Sequence, residues 1–156
     1  LSSAASEVYK RQSKIDTRMR QRAIDRLFEE RCSCVVCNGG QLRIFRERGV
    51  RDLYRLLREE PELLRGAFVA DKVVGKAAAA LMILGGVEVL YAHVISTPAL
   101  ELFRRAGTEA ACGEEVPHII NRTQTGWCPL ESRCFDAPTP EACLERIEEF
   151  LQTVGR

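Results

Sequence analysis

The sequence predicts a layered α/β domain built on a mixed sheet. Three observations carry that reading. Residues 32–46 have the pattern of a β-hairpin, with good turn chemistry at Asn38-Gly39-Gly40. From Gly66 onward, short apolar strand-like runs alternate with helix-like runs, which is the order of a sheet with helical crossovers. Between Gly66 and Gly86 lies a buried-type strand, a Lys-bearing turn and a helix that is apolar on every side. Such a helix has no face for water and must be covered all round.

In chain order, Met19 to Arg31 comes first. Ala23, Ile24, Leu27 and Phe28 recur among Arg, Asp and Glu, so one stripe packs inward. Cys32 to Cys37 and Gln41 to Arg46 are the two hairpin strands. Asp52 to Glu60 is a helix with Leu53, Leu56 and Leu57 inward, and Pro61 breaks it. Gly66 to Ala70 suits a short interior strand. Asp71 to Gly75 is the turn, and Lys76 opens the apolar helix closed by Gly85-Gly86. Val87 to Ile95 is a strand, and Ser96-Thr97-Pro98 caps a helix that stops at Gly107. Thr108 to Cys112 is a further strand, Val116 to Cys134 an irregular region, and Pro138-Thr139-Pro140 opens a C-terminal helix. There Cys143, Leu144, Ile147, Phe150 and Leu151 form one face.

Composition narrows the class. A chain of 156 residues with 46% hydrophobic residues is a single domain with a sizeable core, placed at 18–154. Residues 1–14 resemble translated adapter sequence and are set aside as a non-native segment. A formal net charge of +1 predicts no nucleic-acid surface. No apolar run reaches the ~20 residues of a spanning helix, so no membrane partner is expected. Seven cysteines, an odd number, fit a reducing, cytoplasmic location better than a disulfide framework. Of 23 basic residues only Lys10, Lys14, Lys72 and Lys76 are lysines, and the last two flank the central turn. That is chance, or a place where an adaptable ammonium is needed.

Several motifs compete for chemistry. Ala70-Asp71-Lys72-Val73-Val74-Gly75-Lys76-Ala77 matches a phosphate loop only in part. Ala stands at both the first glycine and the Mg²⁺-binding hydroxyl position, so nucleotide hydrolysis is not expected. Lys76 and the N–H groups at the helix start remain able to bind a phosphate or carboxylate; in the plainer reading, Lys76 only caps the turn. Cys34-x-x-Cys37 has knuckle-like spacing, and Cys128 with Cys134 could add a second pair. Residues 34 and 37 of one strand point to opposite faces, however, and no metal site is expected. The loop from Asn121 to Glu131 sets Asn121, Arg122, Cys128 and Glu131 around the single Trp, Trp127. Cys128 beside a cation could act as a thiolate; the plainer reading is a structural loop, with Glu131 pairing to Arg122 or Arg133. His93 and His118 have no evident catalytic placement.

The helix-hairpin start and the VADKVVGKAAAALMILGG, VISTPALELF and INRTQTGWCPLE segments together resemble the family called domain of unknown function 1893. The resemblance runs from about Cys34 to the C-terminal helix and is most specific in VVGKAAA and in NR…CPLE. It implies a cytidine deaminase-like, three-layer α/β/α fold whose first two strands form an antiparallel hairpin; it implies no activity. Zinc deaminases need a His or Cys and a Glu at one helix start and a Cys pair at the next. The corresponding segments here are Val74-Gly75-Lys76-Ala77 and Ser96-Thr97-Pro98-Ala99, without ligands. A fold can persist without its chemistry.

The favoured function is a metal-free binding domain for a small anionic or nucleotide-like metabolite, with no cofactor. Its ligand-binding residues are Asp71, Lys72, Gly75, Lys76, Ser96, Asn121, Arg122 and Glu131. The alternatives are an enzyme with Cys128 as thiolate nucleophile or redox thiol assisted by Lys76, and a protein–protein interaction module. A homodimer is compatible with each.

Overall fold

A computed structural model describes residues 17–47 and 49–154. Residues 1–14, the segment set aside at the N-terminus, lie outside the described residues. The first helix, α1, covers 17–29. The hairpin follows as β1 (Cys34–Asn38) and β2 (Gln41–Phe45), joined by Gly39 and Gly40, both at positive φ. Next come α2 (Arg51–Glu59) and α3 (Pro61–Leu64), then β3 (Phe68–Val74), α4 (Lys76–Gly85), β4 (Val89–Ser96), α5 (Thr97–Ala106) and β5 (Glu109–Val116). The chain closes with α6 (Pro129–Cys134) and α7 (Pro140–Val154).

The sheet order is β2-β1-β3-β4-β5. β1 is antiparallel to both β2 and β3, with Val36 opposite Arg43 and Val69. β3, β4 and β5 are parallel, with Val69 opposite Leu90 and Leu90 opposite Ala110. Strand alternation sends Val35, Cys37, Phe68, Ala70 and Val89 to one face, beneath Ala23 and Leu27 of α1. It sends Cys34, Val36, Val69, Leu90 and Ala92 to the other, where α2 and α4 to α7 pack. The result is the expected α/β/α layering with an antiparallel hairpin, heavily weighted to one face. β5 is an edge strand, mostly exposed, with Glu109, Glu114 and Glu115 along it.

Helix α4 is the centre of the thicker layer. Its residues from Lys76 to Met82 are all buried, and α2, α3, α5, α6 and α7 all contact it. It ends at Gly86 in the left-handed conformation, φ 81°, with the Gly86 and Val87 N–H groups donating back to Ile83 and Met82. Helix α5 starts as expected: the Ser96 hydroxyl accepts from the Ala99 N–H at 3.3 Å, and Gly107 ends the helix at φ 73°.

Four boundaries differ from expectation. β5, expected over Thr108 to Cys112, runs Glu109–Val116. Asp71 and Lys72 are not a turn but part of β3. The strand lies between β1 and β4, and the Lys72 N–H donates to Ser33 O at 3.1 Å, so ladder partners on both sides override the polar side chains. β1 starts at Cys34, while the Cys32 thiol turns back to the Arg26 and Leu27 carbonyls. The region 116–134, read as irregular, contains an antiparallel bridge between Ile120 and Trp127 and then α6.

Gly85 supports one prediction. A Cβ there would lie 2.7 Å from Leu64 Cδ1 and 2.9 Å from Leu64 Cβ, and Leu64 is fully buried. Gly85→Ala is expected to destabilise the protein by roughly 1–3 kcal/mol through overpacking, against the gain of ~1 kcal/mol that alanine brings to an open helix. Urea unfolding of Gly85→Ala, and of Gly85→Ala with Leu64→Ala, measures this; the cost should be smaller when Leu64 is already truncated.

Candidate functional site

Parallel β3 and β4 deliver the starts of α4 and α5 to the same edge of the sheet. The polar groups at the start of α4 are the first constraint on any site there. Glu131, from α6, is fully buried and lies across that start. Its Oε1 accepts from the Lys76 N–H at 2.9 Å and its Oε2 from the Ile119 N–H at 2.8 Å. The carboxylate thus takes the place that free helix N–H groups would offer an anion. It pairs with neither Arg122 nor Arg133. Gly75 makes room for it, since a Cβ at that position would stand 3.3 Å from Glu131 Oε2 and from Ile119 Cγ1.

The Lys76 side chain takes a different route. It is buried, and its ammonium donates to Phe135 O at 2.9 Å and to Ala137 O at 2.6 Å, in the turn between α6 and α7. Among the described residues it has no carboxylate partner. It therefore ties that distant turn in place rather than capping the turn before α4, as the plainer reading had it, and has no ion-pair partner among the described residues.

That ammonium also lies at the wall of a cleft of ≈ 520 Å³. One side of the cleft is α5, with Thr97, Pro98, Glu101 and Arg105; the other is the turn, with Phe135, Asp136 and Pro138. The volume falls within the range of small-molecule sites. Its two acids already have partners. Glu101 accepts from Arg105 at 3.3 Å. Asp136 pairs with Arg146, and the hydrogen bond from Arg146 holds its carboxyl below the usual carboxylate range. Beside the cleft, Trp127 stacks on His118 at 4.2 Å and meets Phe135 edge-on at 5.0 Å, leaving Phe135 and Trp127 part-exposed.

Of the residues singled out in the sequence, Lys76 alone lines this cleft. Ser96 is fully buried and spends its hydroxyl on the helix cap. Asn121 organises its own loop, accepting from the Thr125 N–H at 3.0 Å and donating to the Thr125 hydroxyl. Arg122 is exposed on that loop. Cys128 precedes α6, half-buried against the main core, with its N–H donating to Ile119 O at 2.8 Å. The Lys76 turn and the Cys128 loop are joined through Glu131, but Cys128 is not part of the cleft wall. Lys72 is part-buried, and its charge acts on the Cys32 thiol. Thr97, Arg105, Phe135 and Asp136 were missed: the α5 residues carried only a helix signal, and the turn residues carried none.

Asp71 is buried within β3, and its Oδ1 accepts from the Val73 N–H at 3.2 Å. Burial pushes its carboxyl up to about 7, against the opposing pull of the Val73 and Lys72 N–H groups. Cys34 faces the same core, its thiol pushed well up by burial and by the nearby Asp71 and Asp52 carboxylates. Cys37 lies in the core on the opposite face, so the two cysteines of the Cys-x-x-Cys do not converge. Among the described residues no three His, Cys, Asp or Glu side chains gather as a metal site, and no helix is long and apolar enough to cross a membrane.

The family profile described as a domain of unknown function, DUF1893, matches residues 22–151. Among solved structures, a DUF1893 family protein from Thermotoga maritima superposes with a TM-score of 0.78 at 24% identity, over 85% of this chain and 89% of that one. A diaminohydroxyphosphoribosylaminopyrimidine deaminase/5-amino-6-(5-phosphoribosylamino)uracil reductase from the same organism gives 0.41 at 18% identity, over 64% of this chain and 36% of that one. No curated protein matches the chain.

Two predictions follow from the buried carboxyls. Glu131→Gln keeps the side-chain shape but turns an NH₂ toward one of two backbone donors. It should cost roughly 1–3 kcal/mol in denaturant unfolding. For Asp71, the folded value lies above the unfolded one, so its contribution to stability is complete below about pH 4 and is lost as pH rises through about 7. Unfolding free energies at pH 5 and pH 8 should therefore diverge between wild type and Asp71→Asn, with the variant gaining by roughly 2–3 kcal/mol over that interval.

Proposed function

The chain belongs to the DUF1893 family, and from the cleft that its fold builds we propose that it is a binding domain for a small anionic metabolite. The carrying observation is the Lys76 ammonium, which is buried, donates to two backbone carbonyls, has no ion-pair partner among the described residues, and lies at the wall of a cleft whose two acids are paired with arginines. Keeping a cation out of water without a counter-ion is costly. A phosphate or carboxylate in the cleft would offset that cost by supplying the missing charge. Arg105, exposed on the opposite wall, adds a second cation at the mouth. Phe135 and the prolines 98, 117 and 138 give the ligand's uncharged part an apolar surface.

This places recognition on the Lys76 side chain rather than on the backbone at the start of α4, where Glu131 already accepts the N–H. It also needs no metal. Gly75-Lys76 and Thr97-Pro98, at the two helix starts, are not metal donors of the deaminase kind.

The test is calorimetric titration with AMP, citrate and inorganic phosphate, with uncharged adenosine as the control. At least one of the anions should bind saturably and more weakly as salt rises. Arg105→Glu, an exposed change that leaves the core alone, should weaken that binding about tenfold or more, ~1.4 kcal/mol. Absence of binding at millimolar anion, or an affinity indifferent to both Arg105→Glu and a cleft-filling Thr97→Trp, would sink the proposal.

A further inference from the structure

Strand β5 is an open edge of the sheet. Its eight residues, Glu109–Val116, pair with β4 on one side only, in constant register. Among the described residues, the one further bond to its main chain comes from the Thr97 hydroxyl to Val116 O at 3.2 Å, at its last residue. The outward-pointing N–H and C=O groups before that residue are left to water, as a template for another strand.

The opposite edge is better guarded. β2 has five residues, is half-buried through its middle, and its Arg43 pairs with Glu60 at 2.9 Å. β5 carries neither proline nor lysine, two common guards of an edge. Its middle, Ala110-Ala111-Cys112-Gly113, has small side chains that leave the main chain within reach. Its only charges are Glu109 at one end and Glu114 and Glu115 at the other, all exposed. Among the described residues none of these three forms an ion pair, and Glu115 accepts from the Thr97 hydroxyl at 2.8 Å. Arg104 and Arg105, the nearest cations in sequence, belong to the last turn of α5, and Arg105 pairs with Glu101.

We propose that β5 is a docking edge for an extended, cationic segment of another protein, which adds to the sheet beside it as a further strand. This goes beyond the ligand-binding reading and stands without it. Main-chain hydrogen bonds hold the segment, and lysines or arginines at its two ends meet Glu109 and the Glu114-Glu115 pair. The middle of the segment takes small or apolar side chains on both faces. On one face Ala110 already packs against the main core. On the other, a Cβ at Gly113 would stand 3.4 Å from His93 Nδ1 and 3.6 Å from the Tyr91 hydroxyl, so the surface beside it is ring rather than charge. Charge also decides against a second copy of the chain. Antiparallel self-pairing along the strand would bring Glu109 of each copy to the end that carries Glu114 and Glu115 of the other, and like charges across strands are destabilising.

The experiment uses the full chain and a dye-labelled, terminally blocked peptide of alternating threonine and valine with an arginine pair at each end, followed by fluorescence anisotropy at low salt. Saturable binding is expected, weakened about tenfold or more by the exposed double change Glu109→Lys with Glu114→Lys. Two further peptides of the same sequence are N-methylated on alternate residues, in opposite phase, which leaves their charge unchanged. One should bind like the parent and the other at least tenfold more weakly, because only one row of amides faces β5. No saturable binding, or equal binding of all three peptides, would overturn the proposal, since charge attraction without strand pairing ignores the methyl groups. Binding indifferent to the double change places the peptide elsewhere and overturns it too. Sedimentation that finds a dimer dissociated by the peptide would give the edge to a second copy, with the same consequence.

Discussion

Glu131 holds the buried start of α4, and the arrangement of the C-terminal half follows from that bond. Helix α4 has no polar side chain beyond Lys76, so the N–H groups of its first turn must find acceptors without help from a capping side chain of its own. One carboxylate answers both for the Lys76 N–H and for the Ile119 N–H. To do so it must be brought from α6, which folds residues 117–131 back over the edge of the sheet. Once α6 is there, the turn after it passes within reach of the Lys76 ammonium. The cleft is the space left between that turn and α5.

The same constraint explains why two opposite charges from Lys76 and Glu131 lie in one buried region without pairing directly. Glu131 is solvated by backbone donors and Lys76 by backbone acceptors. Each is held by two backbone groups. Direct pairing would free the turn from α4. Using the ions separately binds three segments together and gives a buried ion a role that pairwise attraction alone would not justify.

The sheet order was partly legible because its signals are local: Asn38-Gly39-Gly40 for the hairpin, Ser96 and Gly107 for the limits of α5, and the apolar run for α4. The end of β3 was not, since Asp71 and Lys72 have turn-like side chains and only their neighbours β1 and β4 make them strand. Of the candidate cleft, only Lys76 was legible in the sequence. Its uneven lysine usage and its position before an apolar helix were sequence facts, whereas the carbonyls of Phe135 and Ala137 are main-chain groups that every residue possesses. Glu131 was singled out with the wrong partner, because an arginine in sequence is visible and a backbone N–H fifty-five residues away is not.

Enclosure of α4 sets an order on self-assembly. Beyond Lys76 the helix is apolar, yet α5, α6 and α7, three of the elements that cover it, come later in the chain. Until they dock, β3 and β4 can pair while a stretch of alanine, leucine, methionine and isoleucine stands open to solvent. The closing contacts are long-range in sequence and carry a loop-closure cost that local pairing does not. On an emerging chain this apolar helix is therefore complete well before three of its covers, which makes the interval before α7 arrives the time when chaperones matter most.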